Sequence, residues 1–288
     1  MAAIKPSEQR DARFREAVSA IDAGDTRALG RLLADDPNLV RDRLASPGAW
    51  LRDRVGAALD GYFRRPFLLW FVAGNPIRND SLPANIAAIA RLLIDTAQRN
   101  GVARLQQQLD YTLGLVVTGR IAKESGVQIA LIDALIDAGA QPDAGYGALG
   151  AGNFEAAARL LERGGEPTLA AALCLGREGD VERLLPAATA RDRQIALVAA
   201  AINGQAQSLA KLIAVGVDID AYSTVIHPHA TALHQAVFSG SLDAVKTLVQ
   251  AGARFDIRDR IYDGTPLQWA EYGRHDALAD YLRAKAAG

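Results

Sequence analysis

Three of the four histidines lie within eight positions, in the stretch VIHPHATALH, and are the residues best suited to bind a metal. They are His227, His229 and His234, and the fourth is His275. Zinc takes three or four ligands, usually with a His pair along one helix or with paired cysteines. His227 and His229 instead flank a proline, and no cysteine or carboxylate nearby completes a set. We therefore expect no metal and no other cofactor, and keep a site at this cluster as the alternative hypothesis.

Neither the carboxylates nor the cysteine form a catalytic pattern. Asp218 and Asp220, like Asp256 and Asp259, are paired along the chain, but a general acid and base also need a cleft and a desolvated partner. The single cysteine, Cys174, lies in the apolar run LAAALCLG without a neighbouring histidine, which predicts a small buried residue. Motifs of the G-x-S-x-G, P-loop and H-E-x-x-H types are missing from the sequence. We predict that the protein is not an enzyme.

Composition and charge narrow the class of protein further. The length of 288 residues is enough for one large domain or two ordinary ones, and half of these residues are apolar. The net charge of -1 argues against a general nucleic-acid binder, although a local basic patch is compatible with it. The N-terminal residues include no apolar h-region, so we expect no secretory signal. The most apolar segment, PFLLWFVAG at 66–74, is too short for a membrane span and predicts a buried core helix. One cysteine suits a reducing compartment, so we expect a cytoplasmic protein.

Pairs of large aliphatic residues recur late in amphipathic helical segments along the whole chain. The first members of the eight pairs are Leu32, Leu92, Leu135, Leu160, Leu184, Leu212, Leu248 and, in the one pair that begins with an aromatic residue, Tyr281. Self-similarity at intervals of this kind is typical of repeat architectures.

Two sets of glycines frame these pairs. The glycines predicted to close the preceding helix in a left-handed conformation are Gly24, Gly152, Gly179, Gly204 and Gly240. The glycines predicted to stop the second helix are Gly139, Gly164, Gly216 and Gly252. Each unit is therefore a short helix, a glycine turn, a longer helix, a glycine stop and a loop.

A single unit of this kind cannot bury its own apolar surface. The helix LDAVKTLVQAG places Leu242, Val245, Leu248 and Val249 on one face. Stacked copies bury such stripes against each other, and alternation typical of strands is almost absent. The sequence therefore predicts an all-α helix-turn-helix solenoid of about seven to eight repeats.

The stretches TALHQA from Thr231 and TPLQWA from Thr265 resemble the ankyrin repeat, whose pattern is a T-P-L-H-x-A helix, a glycine turn, a second helix and a β-turn finger. The first departs from the pattern at Ala232 and the second at Gln268. The resemblance implies that His234 braces neighbouring loops by hydrogen bonds. It also implies an ankyrin-like solenoid. We expect this solenoid to be of the bacterial type, with degenerate repeats.

The match varies along the chain, and β-turn fingers are expected mainly in the C-terminal repeats. We predict one solenoid over 1–288, with a first repeat at 12–47, irregular repeats with insertions at 48–126, short repeats at 127–216, and the best-matched repeats at 217–264 and 265–288, the last a cap. Within the insertions, residues 48–63 predict an extra helix and residues 75–85 an extended loop.

The resemblance implies that a protein or peptide binds the concave surface formed by the fingers and the exposed ends of the first helices. Carried over by position, the partner-binding residues are Tyr222, His227, His229, Phe238, Ser239, Arg258, Arg260, Tyr262 and Tyr272. Phe238 stands where the repeat expects a solvent-facing residue, and the open alternative is that it packs beneath the long finger YSTVIHPHA. A less strongly indicated extension of this partner-binding surface comprises Trp50, Tyr62, Arg64 and Arg65.

The leading hypothesis is a non-enzymatic protein-protein interaction module or scaffold. Its partner would be an unidentified protein or peptide, with no nucleic acid and no membrane, and the protein would be a monomer. Regulation of a neighbouring gene product is one form of the same role. The alternative is a small-ligand or metal-binding protein, or an enzyme, with a cleft at the 48–126 insertion or a site at the cluster of His227, His229 and His234.

Overall fold

The computed structural model describes residues 6–55, 65–74 and 81–286, apart from the side chains of 54 and 55. Helices and turns make up this part of the chain, and one isolated antiparallel bridge, Tyr222 to Thr231, is its only extended pairing. The all-α prediction is therefore confirmed for the described residues. Contacts divide the chain into two compact units, 1–142 and 143–288. None of the described helices is long and apolar enough to cross a bilayer.

The first unit surrounds a short 3-10 helix, Leu68–Val72, with α-helices. Its described α-helices are α1 (Pro6–Asp22), α2 (Thr26–Asp35), α3 (Ala49–Val55), α4 (Ile86–Arg99), α5 (Leu105–Thr118), α6 (Arg120–Glu124) and α7 (Gln128–Asp137). The 3-10 helix packs against α1, α4 and α5. Burial of the segment PFLLWFVAG is confirmed, with Phe14 meeting Phe71 edge to face at 5.9 Å. The segment forms a short 3-10 helix, and its burial on all sides fits a continuous apolar run with no polar face to present to water.

The predicted insertions fall partly on described residues. The extra helix expected over 48–63 is present as α3, and residues 56–63 lie outside the described residues, as do Tyr62 and Arg64. Residues 81–85 form no regular element, and 75–80 lie outside the described part. The Trp50 indole donates to Asp11 at 2.8 Å, which gives this tryptophan a structural role.

The second unit is a stack of five helix pairs. They are α8 (Tyr146–Gly150) with α9 (Phe154–Glu162), α10 (Leu169–Cys174) with α11 (Glu178–Leu184), α12 (Ala190–Ile202) with α13 (Ala206–Ala214), α14 (Ala232–Phe238) with α15 (Leu242–Gln250), and α16 (Pro266–Tyr272) with α17 (Asp276–Ala286). The first helices α10, α12, α14 and α16 contact one another in series, and so do the second helices α13, α15 and α17. Val245 and Leu248 of α15 are fully buried between these rows.

The aliphatic pairs of the sequence fall in or at the end of described helices. Those helices are α2, α4, α7, α9, α11, α13, α15 and α17. This distribution fits the prediction of about seven to eight repeats.

Glycine turns separate the helices of a pair, with one correction. The turn glycines with positive φ are Gly24, Gly152, Gly204 and Gly240, and the stop glycines with positive φ are Gly139, Gly164, Gly216 and Gly252. The prediction for Gly179 is wrong, because Gly179 lies inside α11 and Gly176, with φ of 66°, makes the turn. The apolar run ends at Leu175, so the helix ends three residues earlier than predicted, and the N–H of Arg177 bonds back to the carbonyl of Ala172.

His234 ties its own helix to the next repeat, which confirms the predicted bracing role. Its ring is fully buried, and Nδ1 accepts a hydrogen bond from the N–H of Thr231 at 3.3 Å while Nε2 donates to the carbonyl of Gly264 at 3.0 Å. Burial lowers the pKa of His234 below the ordinary histidine value, against the opposing effect of the Gly264 carbonyl. The ring is therefore neutral in the folded protein at neutral pH.

Replacing His234 tests this bracing. We expect His234→Ala to lower the free energy of unfolding by about 2–3 kcal/mol, because two buried hydrogen bonds and ring packing are lost. The matched control is His234→Gln, since Gln268 fills the same motif position in the next repeat and accepts from the N–H of Thr265 at 2.9 Å. Urea unfolding followed by circular dichroism should rank the proteins as wild type, Gln, then Ala.

The same titration at lower pH adds a second check. Because the pKa of folded His234 is depressed, its contribution is complete above the ordinary histidine pKa and declines as the pH falls below it. The Gln variant should lack this component of the pH dependence. An Ala variant as stable as the wild type would contradict the bracing role.

Candidate functional site

A groove of about 680 Å³ lies at the C-terminal repeats, where the end of α14 meets the last finger and α16. Its lining residues are Phe238, Tyr262, Asp263, Gly264, Gln268, Trp269, Tyr272, Gly273 and His275. Three of the aromatic side chains are largely in solvent, with exposed fractions of 64% for Phe238, 75% for Tyr262 and 93% for Tyr272. The structure thus brings together three of the nine residues that sequence analysis proposed for partner binding.

Trp269 is the aromatic residue that sequence reasoning missed. Its ring lies 6.5 Å from Phe238 and 5.1 Å from His234, both in edge-to-face arrangements. Phe238 therefore does not pack beneath the long finger; its ring contacts the next repeat and most of its surface is open. The usable signal was the residue type, because Trp269 fills the unspecified position of T-P-L-H-x-A, where Gln235 stands in the preceding repeat.

A buried carboxylate fixes both the finger and the Trp269 ring. Asp259 accepts hydrogen bonds from the N–H groups of Ile261, Tyr262 and Gly264 at 2.7–2.9 Å and from the Trp269 indole at 2.9 Å. Burial raises the pKa of Asp259, but these four donors outweigh it and lower the value to about 2. Asp259 is therefore a loop-bracing carboxylate, not a general acid or base at neutral pH.

The two long fingers are joined by aromatic and arginine contacts. The Tyr222 hydroxyl donates to the carbonyl of Arg258 at 2.6 Å, and the Arg260 guanidinium lies 3.8 Å from the centre of the Tyr222 ring. The N–H of Arg260 also donates to the carbonyl of His229 at 2.8 Å. Arg258 forms an ion pair with Asp263, at 3.5 Å. These three predicted partner-binding residues thus hold fingers in position beside the groove.

The remaining predicted residues also make internal contacts. His227, in a left-handed conformation with φ of 44°, places Nε2 at 3.2 Å from the carbonyl of Gly150. The His229 ring lies 6.0 Å from Trp269 and 6.5 Å from Tyr262, and burial followed by the charge of His227 lowers its pKa against the effect of Asp259. The Ser239 hydroxyl donates to the carbonyl of Ala236 at 2.7 Å within the glycine turn.

No described group of three His, Cys, Asp or Glu side chains is arranged to hold a metal ion. Both ring nitrogens of His234 already face protein groups, so this histidine offers no free nitrogen to a metal ion. Cys174 is buried, and burial raises the pKa of its thiol to about 12. The thiol is therefore protonated and inert at neutral pH.

Comparison with known protein families assigns the chain to one of them. A family model for ankyrin repeats in three copies matches residues 121–259 and 197–287, which together span more than half of the sequence. The chain belongs to the ankyrin repeat family. The matched residues include the whole aromatic groove, and ankyrin repeats are in general protein-protein interaction modules whose stacked units present an extended binding surface.

Two curated relatives match a short part of the chain. Notch-regulated ankyrin repeat-containing proteins of Xenopus tropicalis and Xenopus laevis are each 49% identical over 57 residues, 19% of this chain and 48% of the relative. The chain thus spans about half the length of the curated relatives it matches. Both are frog proteins, so they lend no support to the bacterial-type expectation.

A solved structure is also similar. The human ASB11 ankyrin repeat domain aligns at 20% identity with a TM-score of 0.32, over 64% of this chain and 88% of that chain.

Removing the Asp259 carboxylate tests its role in shaping the groove. We expect Asp259→Asn to lower the free energy of unfolding at pH 7 by about 2 kcal/mol, the value that corresponds to its pKa depression. In the wild type this contribution is present above the ordinary Asp pKa and is lost as the pH falls towards 2. Urea unfolding at pH 7 and at steps down to pH 2 measures both effects.

The matched control is Asp256→Asn in the same finger. Asp256 is exposed and pairs with Arg254 at 2.8 Å, so this change should alter stability little. Equal effects of the two substitutions would contradict the role assigned to Asp259.

Proposed function

We propose that this ankyrin repeat protein is a non-enzymatic protein-protein interaction module that binds a protein or peptide partner in its aromatic groove. The observation that carries the proposal is the convergence of Phe238, Tyr262 and Tyr272, all more than half exposed, around the anchored ring of Trp269. The groove lies on a finger and on the ends of first helices, where the family pattern implies partner binding.

The chemistry of the groove suits a large apolar side chain of the partner. Exposed clusters of large apolar residues mark interaction surfaces, and Tyr, Trp and Phe are favoured at the centres of protein interfaces. The polar groups of Asp263, Gln268 and His275 lie among the lining residues and supply hydrogen-bonding partners at the same surface. Because Asp259 and His234 fix the finger and Trp269, little ordering cost falls on this side of the interface.

We further propose that the protein is a cytoplasmic monomer with a protein or peptide partner, acting on neither nucleic acid nor membranes. The balance of 32 basic and 33 acidic residues supports a partner that is not a polyanion. The single, buried Cys174 supports a reducing compartment.

A peptide-display selection tests the groove directly. Peptides selected on the wild-type protein from a random library would be titrated against Phe238→Ala, Tyr262→Ala and Tyr272→Ala by fluorescence polarisation. We expect each substitution at a central anchor to weaken binding by about tenfold or more, the cost of losing a buried aromatic contact. All three side chains are exposed, so the variants should keep their fold, which circular dichroism verifies.

The matched control is Ile261→Ala. Ile261 is 63% exposed, stands next to Tyr262 in the same finger and does not line the groove. Its removal should leave the affinity unchanged. Selected peptides that bind all three aromatic variants as tightly as the wild type would overturn the groove as the binding site.

A further inference from the structure

A cavity of about 650 Å³ in the first unit carries an excess of positive charge. Its lining residues include Arg41, Arg43, Arg104, Asp42, Phe67 and Val102. These residues carry three guanidinium groups and one carboxylate, a formal excess of two positive charges. Asp42 is moreover engaged by Arg10, which lies outside the lining, at 3.2 Å. The nearly neutral whole chain thus holds a local basic site.

Contacts with the protein hold two of the arginines in position. Arg41 donates to the carbonyl of Asn100 at 3.2 Å, which links its segment to the loop between α4 and α5. Arg43 donates to the carbonyl of Arg65 at 3.5 Å, and its guanidinium lies 4.8 Å from the centre of the Phe67 ring. Each guanidinium has five N–H donors, so these contacts leave several donors on both side chains for a ligand.

No carboxylate in the described part of the chain lies within 4.0 Å of the guanidinium of Arg41, Arg43 or Arg104. The side chain of Arg104, which precedes α5, makes no hydrogen bond to any described residue and is exposed. Like charges that share a cavity repel one another, and a bound anion removes that cost. The loop between α4 and α5 is bordered by the negative end of α4 and the positive end of α5. These two helix ends offset each other, so the arginines determine the sign of the electrostatic potential in the cavity.

We propose that this arginine-lined pocket binds a phosphate group, either as free phosphate or as the phosphate of a larger phosphorylated ligand. A phosphate ester carries about -1.5 to -2 at pH 7, which matches the excess charge of the lining, whereas one carboxylate would balance half of it. The planar fork of a guanidinium forms paired hydrogen bonds with phosphate oxygens. Phe67 and Val102 supply an apolar wall for an organic group joined to the phosphate.

The site is separate from the aromatic groove and belongs to the other compact unit. Part of its lining, including Phe67, Val102 and Arg104, belongs to the segment 48–126, where the sequence left a ligand cleft as the alternative hypothesis. The inference therefore stands whether or not the groove binds a protein.

Isothermal titration calorimetry of the full chain with inorganic phosphate, phenyl phosphate and acetate at matched ionic strength tests the proposal. We expect saturable binding of phosphate and phenyl phosphate, with acetate weaker by about tenfold because it lacks the second charge. Tighter binding of phenyl phosphate than of inorganic phosphate supports a phosphorylated organic ligand, and equal binding supports free phosphate. Failure of both to bind, or acetate binding as tightly, overturns the assignment to phosphate.

Arg104→Gln is the decisive variant, because the Arg104 side chain makes no hydrogen bond or ion pair with a described residue, and the substitution keeps the backbone of the α5 N-cap. It should weaken phosphate binding by about tenfold, the loss of one charge-assisted contact, and leave the thermal unfolding midpoint of the free protein unchanged. Arg52→Gln is the control: Arg52 is exposed in α3 of the same unit, outside the cavity. Equal affinities of wild type and Arg104→Gln, or equal losses in both variants, overturn the pocket as the site.

Discussion

A helix pair in this protein cannot bury its own apolar stripe, and the second unit depends on that constraint. Val245 and Leu248 of α15 are inaccessible in a stack where α13 and α17 pack against α15 together with its own partner α14. Glycines with positive φ keep each pair compact enough to repeat this contact along the stack. Burial is thus shared between neighbours, and each repeat contributes to the stability of the next.

Hydrogen bonds through Gly264 extend this sharing from the helices to the fingers. The carbonyl of Gly264 accepts from His234 of the preceding repeat, and its N–H donates to Asp259. Asp259 in turn holds the indole of Trp269, so one chain of contacts runs from the core of one repeat to the floor of the groove in the next. The exposed aromatic side chains of the groove are therefore attached to backbone that these hydrogen bonds hold in place. This is so even though two of them are among the most solvent-accessible large residues described.

The sequence predicted the helices and most turns because their causes are local. Apolar periodicity, a glycine after the last buried residue and a capping threonine each act within a few positions. The prediction for Gly179 was wrong because two glycines, Gly176 and Gly179, lie within one turn of helix and either could make the turn. The residue types at the site were also legible: Phe238, Tyr262 and Tyr272 were named from their places in the repeat. The sequence could not predict which of the nine candidate side chains are exposed to solvent. Tyr222 and Arg260, for example, contact each other between two fingers, and that contact depends on how the fingers pack.

The arginine-lined cavity was beyond sequence reasoning for the same physical reason. Arg41 and Arg43 are far along the chain from Arg104, and their common surroundings arise from the packing of the 3-10 helix between α1, α4 and α5. Charge counts over the whole chain average such local excesses away, which is why a net charge of -1 concealed it.

The aromatic groove is built from two successive repeats, and this bears on what a bound molecule does to the stack. Trp269 and Tyr272 belong to α16, and Phe238 belongs to α14 of the preceding pair. A molecule seated between them bridges the two repeats, so mass action converts its affinity into resistance of their shared interface to local opening and proteolysis.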